Sequence, residues 1–248
     1  MHDIQHRDGR LLFSDPDAPD LRAAVHRAIE LRIDLSGAQL AGAHLKRLDL
    51  EDACLTDANL AGAILDGTNC ENADLSRANL AGASLRGANL EHASLAGANL
   101  TDAILDGANL DRATLRDATI DRTRFERANL EHACFENTRG DGAVFTRANL
   151  ERAILRHARL PGADLAAANL ERCDLRGADL SRAMFAGANL ERCDLRRANL
   201  MSADFTEANL ERCDVDEALL DGAVFEGANV STLRGTPIRT KAPEGPYR

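Results

Sequence analysis

The sequence predicts an all-β solenoid, a four-sided β-helix of roughly ten coils with a short capping helix at its N-terminal end. Three observations carry this prediction. An apolar residue recurs at nearly every fifth position from Leu35 to Val230, an alanine usually stands two residues before it, and residues twenty positions apart resemble each other. Aromatic residues make up only 3% of the chain. A core poor in large rings favours many small repeated contacts over a conventional globule.

The five-residue pattern occupies residues 33–230 without an insertion or a deletion. Of its forty fifth positions, twenty-nine are Leu and six are Phe, and alanine stands two residues earlier in thirty-two. In an extended chain, residues two apart face the same side, whereas the next apolar residue, five places on, would face the opposite side. The chain must therefore turn once per pentapeptide. The alanine and the leucine then point inward, and the other three residues point outward.

The number of sides in a coil follows from the residues that recur in register. Positions 51, 71, 91 and onward to 211 are all acidic, and five of the six core phenylalanines share one twenty-residue phase. Twenty residues at five per side give four sides. Coils stacked at about 4.8 Å would form a rod of about 48 Å, with columns of like residues along it.

Two segments lie outside the predicted rod. Within residues 1–32, the stretch at about 20–31 is amphipathic, and we expect a short helix there, with Asp20 as its N-cap and an apolar face over the first coil. A solenoid needs such a cap because its open end exposes core and strand edges. Residues 231–248 contain three Pro and two Gly, so we expect an irregular tail.

Several recurring columns have structural interpretations. Cys173, Cys193 and Cys213 occupy the inward alanine position, so we expect reduced thiols that pack in the core, since zinc ligands must converge whereas stacked side chains run parallel. Asp174 and its equivalents lie beside arginines, which favours charge compensation over a cation site. Asparagines recur every twenty residues at 69–229, and we expect a hydrogen-bonded ladder.

Two local features leave alternatives open. The small, uncharged corner at residues 41–42, 61–62 and 81–82 is either a smooth wall or a contact surface. Gly140 stands at a core position. Either Phe135 and Phe145 lean into the space that it leaves, or the coil bulges there.

Composition and motifs argue against several functions. A net charge of −10 does not suit direct binding to nucleic acid or to an anionic membrane. The sequence shows neither a secretory leader pattern nor an apolar run long enough to span a bilayer, so we expect a cytoplasmic protein. It shows no nucleophile with a base, no phosphate loop and no zinc-protease motif. We therefore expect no enzyme activity, no cofactor and no metal.

The consensus A-[DN]-L-x-x, as in Ala58-Asn59-Leu60 and Ala178-Asp179-Leu180, resembles the signature of the pentapeptide repeat family. The resemblance covers forty consecutive repeats and implies that the β-helix is right-handed. Family members of the quinolone-resistance type resemble duplex DNA in width and acidity and bind type II topoisomerases. The resemblance therefore implies a protein partner such as DNA gyrase or topoisomerase IV.

Charge density limits how far this chain can imitate DNA. Residues 33–230 hold thirty-three acidic and twenty-one basic residues, a net charge of −12. A duplex of about 48 Å carries about 28 phosphate charges. Mimicry would be partial and would use one acidic face, for which the candidate residues are Glu51, Asp52, Glu71, Glu91, Asp111 and Glu131.

Two further hypotheses concern binding. The flat faces could instead dock a protein partner, as in a scaffold or regulatory module with no DNA-mimic role. The last coil has no predicted cap, so Phe225, Val230 and Leu233 could pack against a second copy of the chain in a homodimer.

Overall fold

The computed structural model describes residues 2–237. Its N-terminal segment contains strand β1 (His2–Gln5), strand β2 (Leu11–Asp15) and helix α1 (Leu21–Glu30). From residue 33 onward the chain winds through short extended segments that alternate with turns. The predicted tail lies largely outside the described residues.

Each coil of the rod pairs with the next through single parallel β-bridges between residues twenty positions apart. The bridges form four ladders, which begin at Gln39, His44, Asp49 and Cys54. At the first ladder, the amide of Asn59 donates to the carbonyl of Ala38 and the amide of Leu40 donates to the carbonyl of Asn59, both at 2.8 Å. The separation of twenty positions between bridged residues is the coil length that the sequence predicts. The last bridge joins Asp214 to Arg234, so the pairing continues past the predicted boundary at residue 230.

The corners of the rod are tight turns that contain a left-handed residue. After Leu50, for example, the Leu50 carbonyl accepts from the amide of Ala53 at 3.1 Å, and Asp52 has a φ of 57°. A positive φ at this position is typical of a type II turn and favours glycine, which many equivalent positions contain. Other side chains are strained in this conformation. The Asp52 amide donates to the carbonyl of Glu71 in the next coil at 3.0 Å, which helps to offset the strain.

The interior confirms the predicted inward register. The alanine and leucine columns of the repeat are buried almost throughout the rod. Phe185, Phe205 and Phe225 stack face to face with ring centroids 4.8 and 5.1 Å apart, and Phe125 stacks on Phe145 at 5.0 Å. These distances match the spacing between paired strands, so the rings form columns along the axis.

The space that Gly140 leaves in the core is not empty. Its place is filled by Ile120 and Leu160, the equivalent core residues of the preceding and following coils: a Cβ built on Gly140 would collide with Ile120 and would lie 2.9 Å from Cδ2 of Leu160. The coil does not bulge either, because the Gly140 amide keeps its inter-coil hydrogen bond to the carbonyl of Arg159 at 2.8 Å.

Helix α1 stands where the sequence predicts a helix. Asp20 is its N-cap, and the Asp20 carboxylate accepts from the amide of Ala23 at 2.8 Å. Its buried residues Ala24, Val25 and Ala28 join the same core as the first coil.

The N-terminal end carries a second capping element that the sequence did not predict. Strands β1 and β2 form an antiparallel hairpin, and the chain of β1 continues along the edge of the first coil. There the amide of Gln39 donates to the carbonyl of Gln5 at 2.8 Å, and the amide of Arg7 donates to the carbonyl of Gly37 at 3.0 Å. On this side of the first coil, the edge that would invite another strand is therefore already paired.

Candidate functional site

The acidic column runs along one corner of the rod. It consists of the residues at the first turn position of that corner, namely Glu51, Glu71, Glu91, Asp111, Glu131, Glu151, Glu171, Glu191 and Glu211. Successive members are one coil apart, about 4.8 Å at the usual strand spacing. The fold therefore brings all the predicted acidic residues of this column into one line, and it places Asp52 beside Glu51 at the left-handed position of the same turn.

An asparagine ladder supports the acidic column from behind, as the sequence predicts. From Asn89 onward, each side-chain amide donates to the Oδ1 of the asparagine one coil earlier, as Asn129 does to Asn109 at 2.9 Å and Asn149 does to Asn129 at 3.2 Å. Each Oδ1 also accepts from the backbone amide two residues on, as Asn129 does from Glu131 at 3.4 Å. The ladder fixes the backbone that carries the acidic side chains.

The N-terminal part of the column has neutral partners. The side-chain amides of the next asparagines donate to Glu51 at 3.4 Å, to Glu71 at 3.3 Å and to Glu91 at 3.2 Å. Within residues 2–237, the only ion-pair contact of these three carboxylates is that of Glu91 with His92 at 3.8 Å, which carries charge only if the imidazole is protonated. The N-terminal part therefore presents nearly uncompensated negative charge.

The C-terminal part of the column is interleaved with arginines. Arg172 lies 3.7 Å from Glu151 and 3.5 Å from Glu171, and Arg192 lies 3.6 Å from Glu171 and 3.5 Å from Glu191. Each guanidinium thus bridges two coils. In this part of the corner, which we call the arginine zipper, carboxylates and guanidinium groups alternate, so the net electric field is small.

The boundary between the N-terminal and C-terminal parts of the acidic column lies at Asp111 and Glu131. Asp111 contacts Arg112 at 3.2 Å and His132 at 3.4 Å, and its side chain is only 18% exposed. Glu131 contacts the same imidazole at 3.5 Å. Of the six predicted site residues, Asp111 alone contacts an arginine among the described residues. Glu91 and Glu131 form ion-pair contacts only with a histidine, and Glu51, Asp52 and Glu71 have no ion pair within residues 2–237.

A cleft of about 250 Å³ at the N-terminal end of the column includes residues that the sequence reasoning missed. Asp34 and Arg32 line it together with Glu51 and Asp52. Hydrogen bonds from the Ser36 hydroxyl and amide lower the pKa of Asp34. Only the fold shows that Asp34, one coil away, adds a further carboxylate to this end and that Arg32 adds a cation.

The neighbouring aspartates form the charge-compensated network that the sequence predicts. Arg156 contacts Asp174 at 2.5 Å and Arg176 contacts it at 2.7 Å, and Arg196 contacts Asp194 at 2.5 Å. Partial burial opposes ionisation of Asp174, but the hydrogen bonds from Arg176 and Arg156 prevail and lower its pKa to about 2. These aspartates are neutralised and do not extend the acidic face.

The cysteine column is buried and hydrogen-bonded to the backbone. The thiols of Cys173, Cys193 and Cys213 each donate to a leucine carbonyl of the preceding coil at 2.9 Å, and all three are free. Thr123 makes the same bond with its hydroxyl at 2.7 Å. Burial raises the pKa of Cys193 well above its usual range. These residues are packing elements with an extra hydrogen bond.

The described residues lack two other features, a metal-binding cluster and a membrane-spanning helix. No group of three or more His, Cys, Asp or Glu side chains in the described part of the chain is arranged to hold a metal ion. Helix α1 is too short and too polar to cross a membrane, and no other described helix could do so.

Comparison with known proteins identifies the repeat. A family model described as pentapeptide repeats matches in eight copies, which cover residues 33–68, 53–91, 83–121, 93–131, 123–162, 158–197 and 198–232. No curated protein matches the chain at a significant level.

Two solved structures illustrate the likeness. HetL, a pentapeptide repeat protein involved in heterocyst differentiation regulation in the cyanobacterium Nostoc sp., is 30% identical over 85% of this chain and 93% of its own, with a TM-score of 0.46. QnrB1, a plasmid-mediated fluoroquinolone resistance protein, is 22% identical over 65% of this chain and 84% of its own, with a TM-score of 0.59.

Proposed function

Because the chain belongs to the pentapeptide repeat family, whose repeats wind into a right-handed β-helix, we propose that it is a non-enzymatic, cytoplasmic protein that binds a type II topoisomerase. The partner is DNA gyrase or topoisomerase IV. The contact is the N-terminal part of the acidic column, which acts as a partial mimic of duplex DNA. The observation that carries the proposal is the uncompensated line of Glu51, Glu71 and Glu91, with Asp52 beside its first member.

The geometry suits a DNA-binding surface on the partner in three respects. The carboxylates recur once per coil along the rod, and they project from turns that the asparagine ladder holds in place. Their corner also carries no arginine or lysine between Arg32, in the cleft beside Glu51, and Arg112. One charge per coil, about one per 4.8 Å, is roughly a third of the linear charge density of duplex DNA. The acidic line would therefore mimic DNA by electrostatic steering: its negative charge would guide the protein to one line of the partner's DNA-binding groove.

A supercoiling assay tests the proposal. Purified gyrase, relaxed plasmid and the protein at micromolar concentration are combined, with and without a quinolone. We expect either inhibition of supercoiling or protection from the drug, weakened by the triple variant E51K/E71K/E91K. The matched control is E171K/E191K/E211K, which makes the same change in net charge within the arginine zipper and should keep the effect. An absence of any effect of the wild-type protein on gyrase or topoisomerase IV would overturn the proposal.

A scaffold role is the second candidate. Met184 is 44% exposed and Met201 is 39% exposed, on the C-terminal part of the rod and away from the acidic column. Exposed methionines suit contacts with other proteins because the thioether adapts its shape. If the wild-type protein leaves both topoisomerases unaffected, M184R/M201R should abolish the capture of the scaffold's partner.

We also propose a homodimer through the last coil. Val224 is 47% exposed and Val230 is 42% exposed there, while Phe225 and Leu233 are only partly buried. Sedimentation should give the mass of a dimer for the wild-type chain and of a monomer for V224E/V230E. A wild-type monomer at tens of micromolar would contradict this arrangement.

A further inference from the structure

Two arginines on adjacent coils lie unpaired on another face of the rod, the one whose ladder begins at Gln39. The backbones of Arg139 and Arg159 form a parallel β-bridge with each other, and both residues are exposed. Neither guanidinium forms an ion pair or a side-chain hydrogen bond with any residue from 2 to 237. By contrast, Arg156, Arg176 and Arg196 on the neighbouring face all contact aspartates. Two like charges on paired strands repel each other unless an anion lies between them.

The next residue of the same ladder does not neutralise the pair. Asp179 follows Arg159 along the ladder, but its carboxylate accepts from the side chain of Asn199 at 2.9 Å and from the amide of Ser181 at 3.1 Å. Within residues 2–237 it forms no ion pair with Arg159. Thr119, on the opposite side of Arg139, contributes a hydroxyl and no charge.

A histidine lies beside the two arginines. The ring of His157 lies over Gly177 of the next coil, where an added Cβ would be only 2.7 Å from Nδ1. Gly177 therefore leaves the space that this ring occupies. The imidazole has no hydrogen-bond partner among the residues that the structure describes, so both ring nitrogens are available to a ligand.

These side chains line an open polar cleft of about 470 Å³, together with Asp117, Thr119 and Asn137. This volume is in the range of small-ligand sites. Five of the six lining side chains can donate hydrogen bonds, and Asp117 is the only carboxylate.

We propose that this cleft binds a phosphate group, either free phosphate or a phosphate monoester. Each guanidinium presents a planar fork of donors that matches two phosphate oxygens, and arginines about 4.8 Å apart can grip different oxygens of one phosphate. His157, Asn137 and Thr119 supply the remaining donors. Asp117 would accept from a hydroxyl or amino group on the rest of a monoester. The site is remote from the acidic column and does not depend on topoisomerase binding.

Titration calorimetry of the full chain with inorganic phosphate, at constant ionic strength in chloride, tests the site. We expect saturable binding by the wild type and affinity weakened by about tenfold or more in R139Q/R159Q. The control R147Q/R182Q removes two other exposed arginines, which form no ion pair with the described residues 2–237, and it should bind as the wild type does. His157→Gln should weaken binding less than the double arginine variant.

Two further arms complete the experiment. Circular dichroism and thermal melts of each variant establish that it is folded. A phosphoserine peptide that binds more tightly than inorganic phosphate identifies a monoester as the ligand, whereas equal or weaker binding identifies free phosphate. No saturable binding by the wild type, or an equal loss in R139Q/R159Q and R147Q/R182Q, would overturn the proposal.

Discussion

Replacing Gly140 with alanine sets two opposite effects against each other. The backbone of Gly140 does not have a positive φ, so alanine fits its conformation and should stabilise the fold by about 0.4 to 1 kcal/mol through the unfolded chain. The added methyl group, however, would collide with Ile120 and would lie 2.9 Å from Cδ2 of Leu160. Both neighbours are fully buried core residues in the stack.

The steric effect should prevail. Adding a methyl group to a well-packed core typically costs about 1 to 3 kcal/mol, which exceeds the conformational gain. The expected net loss for Gly140→Ala is about 1 to 2 kcal/mol, or about 2 to 8 °C in melting temperature for a chain of this size. Gly140→Leu should cost more, because its larger side chain needs space that Ile120 and Leu160 already fill.

Chemical unfolding followed by circular dichroism measures this loss, and a second substitution identifies its cause. Ile120→Ala removes the nearer of the two side chains that the new methyl group would meet and leaves Leu160 in place. The double variant should therefore be more stable than the sum of the two single losses implies, by at least about 0.5 kcal/mol. A Gly140→Ala protein more stable than the wild type would refute the packing reasoning, as would strict additivity in the double variant.

Three further outcomes follow from the hydrogen bonds and charges of the rod. The pKa of Asp174 is lowered to about 2, so its ion pairs stabilise the fold above the unfolded pKa of about 4 and are lost as the pH falls towards 2. Asp174→Asn should therefore reduce the difference in unfolding free energy between pH 5 and pH 2.5 by about 1 to 2 kcal/mol, after allowance for solvent screening. Unfolding titrations at both pH values measure this, and an unchanged difference would be inconsistent with the pairing. Cys193→Thr should change the free energy of unfolding by less than about 1 kcal/mol, since a hydroxyl can replace the thiol in its bond to the preceding coil; a loss above about 3 kcal/mol would show that the threonine analogy is wrong. Asn129→Ala should lower the free energy of unfolding by about 1 to 2 kcal/mol, because it breaks two hydrogen bonds of the asparagine ladder and one turn contact. Asn229→Ala, at the end of the ladder, should lower it less. Equal losses at the two positions would argue against a cooperative ladder.

The rod could be predicted from sequence because its pattern is local and repeated. A leucine every fifth residue and an alanine two places earlier fix the inward register of every side, and the twenty-residue recurrence fixes the coil. The N-terminal hairpin could not be predicted in this way. Its strand β1 is held by non-local pairing, through Gln5 to Gln39 on the edge of the first coil, and its four residues show no distinctive alternation.

The candidate site was predictable in position and less so in character. The column from Glu51 to Glu211 follows directly from the register, and the arginines at 152, 172, 192 and 212 already indicate that its C-terminal part is charge-balanced. The particular partner of each carboxylate depends on side-chain directions. The cleft at Arg139 was not predicted for the same reason. Asp141 stands two residues from Arg139 in the sequence, where an ion pair would be expected, yet the structure places none between them.

The central claim is that Glu51, Glu71 and Glu91 form the contact with a type II topoisomerase. Its most direct test is the dissociation constant of the wild type, E51K/E71K/E91K and E171K/E191K/E211K for purified gyrase and topoisomerase IV, measured at about 50 and about 200 mM salt. We predict that binding to one of the two enzymes weakens with salt, that the first variant loses at least about tenfold in affinity, and that the second binds as the wild type does. Equal affinities for all three proteins, or binding that does not respond to salt, would contradict the claim.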